Sequence, residues 1–186
     1  MSAQRTLITA DELLDMSARL SAKGQRCELV RGELIEIALS GARHGAIAQA
    51  IAFIIGSYVE TRELGYVYAT GTEFILQHNP DTVRAPDVAF VSKERLQGEV
   101  PPGYMGIVPD FVVEVVSPSD SASAVQAKVE DWLRAGTRLV WVVYPETRSV
   151  AVYHTLQDAQ VLSVTDTLDA EPIFDDFSVP VGDLFK

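Results

Sequence analysis

Two carboxylates in this chain are set into runs that otherwise read as sheet interior. Asp87 opens Val88-Ala89-Phe90-Val91, and Glu114 interrupts Phe111-Val112-Val113-Glu114-Val115-Val116. On a strand alternate side chains share a face, so Glu114 points with Val112 and Val116, away from Phe111, Val113 and Val115. An unpaired carboxylate in so apolar a run would cost several kcal/mol. A basic side chain, a proton or a metal ion has to neutralise it, and a buried salt bridge is the plain alternative to a functional site. Asp87 alone is weaker evidence, because Pro86-Asp87 at a strand start can be turn chemistry. Its weight comes from pairing with Glu114. Two carboxylates on neighbouring strands can chelate Mg²⁺ or Mn²⁺, which prefer oxygen ligands and leave waters free for a substrate phosphate.

A helix expected over 121–135 follows Glu114. Val125, Val129, Trp132 and Leu133 form its apolar face. At ~100° per residue, Lys128 falls on the edge of that face. Its amine can project along the sheet toward the strand ends, or Lys128 can be a surface lysine with a buried stem. Glu28 and His44 are further candidates. On the residues alone, the simpler assignments are a solvated strand residue for Glu28 and a core or end-of-helix histidine for His44. The three histidines have no close Cys/His spacing, which argues against a zinc site. No Gly-rich phosphate loop precedes a helix and no Gly-x-Ser-x-Gly elbow is present.

The elements that must position these groups can be read in order. Thr9-Ala10-Asp11-Glu12 fits a capping box, opening a helix that stops at Gly24. Cys27–Val30 and Glu33–Ile37 alternate on either side of Arg31-Gly32, as a hairpin does. A long helix is expected from Ser40 to Gly65, with Ile47, Ile51, Ile54, Ile55 and Tyr58 on one stripe and His44 in its first turn. Strands follow over 66–70, 72–78 and 87–92. Residues 93–109 form an irregular loop rich in Gly and Pro. Leu139–Tyr144 reads as a central strand buried on both faces. Ser149–Tyr153, then 161–164 and 177–180, add strands, the last two peripheral. The strand–helix–strand crossover at 111–144 should be right-handed. Together these give an α/β fold with a mixed sheet flanked by helices.

At 186 residues, a single domain over 1–186 is the default. No apolar run approaches the ~20 residues of a membrane span. Met1-Ser2-Ala3-Gln4-Arg5 lacks a signal-peptide segment. Cys27 is the only cysteine, so a cytoplasmic location is expected. The net charge of −11 disfavours a protein held to nucleic acid by its overall field. Residues 1–95 carry 10 Lys/Arg against 12 Asp/Glu, and 96–186 carry 5 against 14. An anionic ligand should therefore meet the first half.

In this order the residues resemble the PD-(D/E)XK nuclease superfamily and, more narrowly, its Uma family of restriction-endonuclease-like proteins. The narrower match runs from about Thr9 to Phe185. It rests on Cys27-Glu28-Leu29-Val30-Arg31-Gly32-Glu33-Leu34, Arg43-His44-Gly45-Ala46-Ile47 and Arg84-Ala85-Pro86-Asp87-Val88. Pro109 through Ser119, Lys128, and Gly136 through Val143 complete it. The resemblance implies a restriction-endonuclease-like core with an N-terminal helix and β-hairpin. It implies that Asp87 and Glu114 hold Mg²⁺ (or Mn²⁺), with the Val115 backbone carbonyl as a further ligand. The lysine normally two residues after the glutamate is Val116 here, and Lys128 would replace it from the following helix. Trp132 stands where an aromatic is expected. Glu28 would support the acids and His44 would line the cleft. Arg26, Arg31, Arg43 and Arg84 cluster in sequence nearby, and Arg43 and Arg84 join His44 as expected substrate-binding residues.

The reading that follows is a metal-dependent endonuclease acting on DNA, expected to be a homodimer with no membrane partner. Its rival is a lapsed nuclease fold kept as a homo-oligomeric interaction module; the acidic charge favours either this rival or a narrow substrate. Metal-assisted hydrolysis of a small phosphorylated molecule is a third reading, without a phosphate loop to support it.

Overall fold

The computed structural model describes residues 7–38 and 41–186. Helix α1, Ala10–Ala22, begins with the expected capping box. Thr9 Oγ1 accepts from the Glu12 N–H (3.2 Å), and Glu12 Oε2 accepts from the Thr9 N–H (2.8 Å). A second carboxylate secures this end: Asp81 accepts from the Ala10 N–H at 2.8 Å and the Asn79 N–H at 3.1 Å. The Ala10 N–H is the largest influence holding the Asp81 carboxyl below its ordinary pKa. A depressed carboxyl contributes stability that is present above the unfolded pKa and lost as pH falls through the folded one. Asp81→Ala should therefore lose about 1–2 kcal/mol in urea unfolding at pH 7. That deficit should shrink as the pH is lowered toward 3.

Strands β1 (Arg26–Val30) and β2 (Glu33–Ile37) form the expected hairpin. Arg31 and Gly32 both have positive φ, 51° and 79°, as the tightest right-twisted hairpin turns require. Helix α2 spans Ala42–Arg62; the expected start at Ser40 lies outside the described residues. Its end corrects the sequence reading. Glu63, in a left-handed conformation, terminates the helix, and Gly65 instead opens strand β3, Gly65–Ala69. A Cβ on Gly65 would lie 2.2 Å from the Val91 carbonyl oxygen. Close backbone approach, not helix capping, is what this glycine serves.

The remaining strands are β4 (Phe74–Gln77), β5 (Thr82–Arg84), β6 (Val88–Ser92), β7 (Phe111–Val115), β8 (Leu139–Tyr144), β9 (Ser149–Tyr153), β10 (Ala159–Leu162), β11 (Thr167–Asp169) and β12 (Ser178–Pro180). Helix α3, Ala122–Ala135, connects β7 to β8. Ser121 caps its start, and Gly136 at φ 109° ends it.

Six strands form the main sheet in the order β10-β9-β8-β7-β6-β3. Only β7 and β8 run parallel within it; the other neighbours are antiparallel. Helices cover both faces. Ile47, Ile51 and Ile55 of α2 pack with Val113, Val115 and Trp141. On the other face Val125, Val129 and Trp132 of α3 pack with Val112, Val140 and Val142. Strand β10 is peripheral as expected, an exposed edge of the main sheet with Val161 at the surface. The segment at 177–180 is not, because Phe177 and Val179 enter the core beneath α2 together with Leu168 and Phe174. A second sheet, β2-β1-β5-β4, carries the hairpin. The chain leaves it at Arg84 and enters the main sheet at Val88. Asp87 therefore lies at the junction of the two sheets. Among the described residues, no helix is long and apolar enough to cross a membrane.

Candidate active site

Strand register brings the two acids together. Val88 pairs with Val113 and Ala89 with Val112, and continuing that antiparallel ladder sets Asp87 opposite Glu114. The Asp87 N–H donates to the Val113 carbonyl (3.1 Å), and Asp87 Oδ2 accepts from the Val115 N–H (2.8 Å). Asp87 is thus tied to the end of β7 twice, once through its backbone N–H and once through its carboxylate.

Glu114 projects toward α3, as alternation along its strand requires. Its Oε1 accepts from the Trp132 indole N–H at 2.8 Å, and its Oε2 from Lys128 Nζ at 3.1 Å. Only 6 % of the residue is exposed. Burial is the main cause that pushes its pKa up to about 7; the Lys128 charge opposes this, and Asp87 and Glu28 add to it. Lys128 stands between two acids, 3.1 Å from Glu114 and 3.4 Å from Glu28 Oε1. Burial acts to lower its pKa, but the Glu114 and Glu28 charges outweigh that and the net shift is upward. Lys128 therefore remains an ammonium across the physiological range. Of the alternatives open for Lys128, the structure selects the amine turned toward the acids.

Glu28 is not a solvated strand residue. It is 1 % exposed, and it accepts from the Ala85 N–H (3.2 Å) and from Arg84 Nη1 (2.6 Å). Arg84 in turn donates to Asp131 Oδ2 through Nε (3.1 Å) and Nη2 (2.5 Å). Arg84 is 5 % exposed and its guanidinium contacts protein acids. It lies in the wall of the cleft, and its geometry is that of a clamp on Glu28. Asp131 was not among the residues singled out in the sequence. Its only signal was the i, i+3 spacing from Lys128 along α3, which any surface acid on a helix could share.

His44 lies in the first turn of α2 and is 7 % exposed. Its Nε2 is 3.1 Å from Asp87 Oδ2. The bond to Asp87 is the largest influence on its pKa and raises it; burial opposes, and a bond to the Val115 main chain adds to the rise. The imidazole thus touches both Asp87 and Val115. Arg43, next to it in sequence, is not brought to the cleft. It turns outward to Glu146 Oε1 (3.1 Å) and the Pro145 carbonyl (2.5 Å), at the turn between β8 and β9. Adjacent residues on a helix diverge by ~100°, so His44 and Arg43 cannot face the same way.

These groups line a cavity of about 520 Å³ whose walls include Glu28, His44, Asp87, Glu114, Val115 and Lys128. Among the described residues no three His, Cys, Asp or Glu side chains converge as a complete metal cage. Two carboxylates with a neighbouring backbone carbonyl still suit Mg²⁺ or Mn²⁺, which are commonly held by one or two carboxylates while keeping waters. Glu28 is already paired with Arg84 and Lys128, which leaves Asp87 and Glu114 to share His44 and one edge of Lys128. A divalent cation would offset the repulsion between those two carboxylates.

A mixed sheet between helices, with paired acids at the end of its central strands and a lysine from the crossover helix, defines a nuclease-like α/β protein. Residues 10–182 match the Uma2 family, described as "putative restriction endonuclease", and the chain belongs to that family. A crystal structure described as a "putative nuclease belonging to DUF820" from Anabaena variabilis is similar in fold. It has a TM-score of 0.79 and 22% sequence identity, over 92% of this chain and 96% of that one. A search of curated proteins returned no match.

Proposed function

We propose that this protein is a divalent-metal-dependent nuclease that hydrolyses phosphodiester bonds in DNA. Asp87, Glu114 and the Val115 carbonyl would hold Mg²⁺ or Mn²⁺. The observation that carries the reading is the buried cluster in which Lys128 bridges Glu114 and Glu28 opposite Asp87. When bound, such an ion polarises a phosphate and lowers the pKa of a coordinated water. The chain supplies the rest. Lys128, held by two acids, places a fixed positive charge where a phosphate entering the cleft develops negative charge. Glu28 holds that ammonium in place, and Arg84 with Asp131 holds Glu28. Trp132 fixes one oxygen of Glu114, which leaves the other directed at Lys128. His44 sits against Asp87 and Val115, so its imidazole either yields to the ion or contributes Nε2 beside it. The superfamily likeness and the family membership support this reading.

Calorimetric titration of Mn²⁺ into the wild type and Asp87→Ala tests it. The wild type should bind about one ion, and Asp87→Ala should bind at least roughly 100-fold more weakly, since a ligand to the ion matters more than the outer groups whose loss costs 10–100-fold. Plasmid incubated with Mn²⁺ at low salt should be nicked by the wild type only. If neither protein binds the ion, the protein is instead a nuclease fold retained for interaction, with Lys128 and His44 neutralising its acids.

A further inference from the structure

The hairpin wall of the cleft has a feature that metal chemistry does not use. In the β1–β2 ladder Glu28 pairs with Ile35 and Arg26 with Ile37. Directly paired residues of an antiparallel ladder share a face, so Ile35 and Ile37 point the same way as Glu28. Both line the cavity, and Ile35 is 43 % exposed. An apolar strip thus faces the acids across the opening, with Arg26 beside it. Strand β2 is the edge of its sheet, but these side chains turn into the cleft with Glu28, not along the free edge where another strand would pair.

Resting on the proposed nuclease function, we infer that the cleft takes a single-stranded segment of nucleic acid. Its phosphate lies toward Asp87 and Glu114, and an unpaired base packs on Ile35 and Ile37. A duplex stacks and pairs its bases inward and offers the cleft only phosphate and sugar edge. An unpaired nucleotide exposes a flat apolar face to any wall that can cover it. The charge agrees. Duplex binding depends more steeply on phosphate neutralisation than single-strand binding does, and this protein carries −11. A cavity of about 520 Å³ is also within the range of sites that enclose a small ligand. The walls combine one apolar strip with Arg26 and Lys128, which matches the base and the phosphate of one nucleotide.

Fluorescence anisotropy with phosphorothioate-backbone probes, which resist cleavage, tests this in the presence of Mn²⁺. The probes are a short single strand, the same strand in a blunt duplex, and an abasic strand of equal length. The single strand should bind at least about tenfold more tightly than either other probe. Ile35→Ser should weaken single-strand binding about tenfold, the loss expected when a modest apolar contact is removed, and leave Mn²⁺ affinity by calorimetry unchanged. Equal affinity for the duplex or the abasic strand overturns the inference, as does single-strand binding indifferent to Ile35→Ser. An Ile35→Ser effect confined to oligomeric state in sedimentation also overturns it, assigning the strip to a second copy. Absence of a Mn²⁺ heat in the wild type removes the metal reading. Strand binding that persists and still needs Ile35 would then uphold this inference on its own.

Discussion

Glu114→Gln is expected to abolish Mn²⁺ binding in calorimetry and to cut nuclease activity by at least roughly 10³-fold, about 4 kcal/mol of transition-state stabilisation. The same substitution should change how the metal-free protein responds to pH. The folded pKa of Glu114 is raised to about 7, with burial as the leading cause. Between the ordinary glutamate pKa of ~4.3 and about 7, the native state therefore binds more protons than the unfolded chain. Stability then falls as pH rises through that window, because its slope follows the unfolded-minus-native proton count. Lys128 stays cationic throughout, its own pKa being shifted upward, and it adds no titration there. In the presence of EDTA, the wild-type melting temperature should decline from pH 5 toward pH 8. Glu114→Gln should lack this part of the decline. Added Mn²⁺ should act in the opposite sense. It binds the ionised carboxylate, so the stabilisation it brings by mass action should grow as pH rises through 7. A wild-type profile identical to that of Glu114→Gln would show that burial does not hold a proton on this acid.

The contrast between Glu114 and Asp131 shows what the sequence could reveal about the site. Glu114 was visible because a charged residue inside an apolar strand violates packing, and a violation of that kind needs a local explanation. Lys128 was visible because the helical angle sets it on the edge of the apolar face of α3, on the helix that follows Glu114. Asp131 and Arg84 violate nothing locally. An acid on a half-exposed helix and an arginine at the end of a three-residue strand are ordinary until the fold brings them within 2.5 Å. The fold divides the same way. The capping box of α1, the Arg31-Gly32 turn and the 3.6-residue stripe of α2 are set by near neighbours, and each was legible. Strand β5 was not, because Thr82–Arg84 is too short to display alternation between a turn and Ala85-Pro86. Without β5 the second sheet could not be assembled, and with it went the reason Glu28 is buried. Arg43 turns away from the cleft for a geometric reason. Sequence adjacency to His44 suggested a shared cleft, whereas one step along a helix sends a side chain to another face.

Arg84→Ala is expected to destabilise the protein by about 3–5 kcal/mol, the usual result of removing one partner of a buried ion pair. Glu28, 1 % exposed, would keep only the Ala85 N–H and the more distant Lys128 amine at 3.4 Å. Asp131, with a side chain 14% exposed, can take up water when Arg84 is lost. Asp131→Asn should therefore cost less, about 1–2 kcal/mol. Arg84→Lys should fall between the two, because a single ammonium cannot reproduce a planar fork that donates to Glu28 and Asp131 at once. Urea unfolding with an unchanged m-value would report these losses as stability. The two losses should not add in the double variant Arg84→Ala/Asp131→Asn, since both act on one network. The series separates a clamp from a substrate contact. An arginine whose work is to bind phosphate would, on removal, lower DNA affinity and reduce its salt dependence while leaving unfolding nearly unchanged. A clamp does the reverse: stability falls first, and any loss of activity follows from Glu28 and Lys128 losing their fixed positions. With three nitrogens of Arg84 already donating to two protein acids, the second pattern is the expected one.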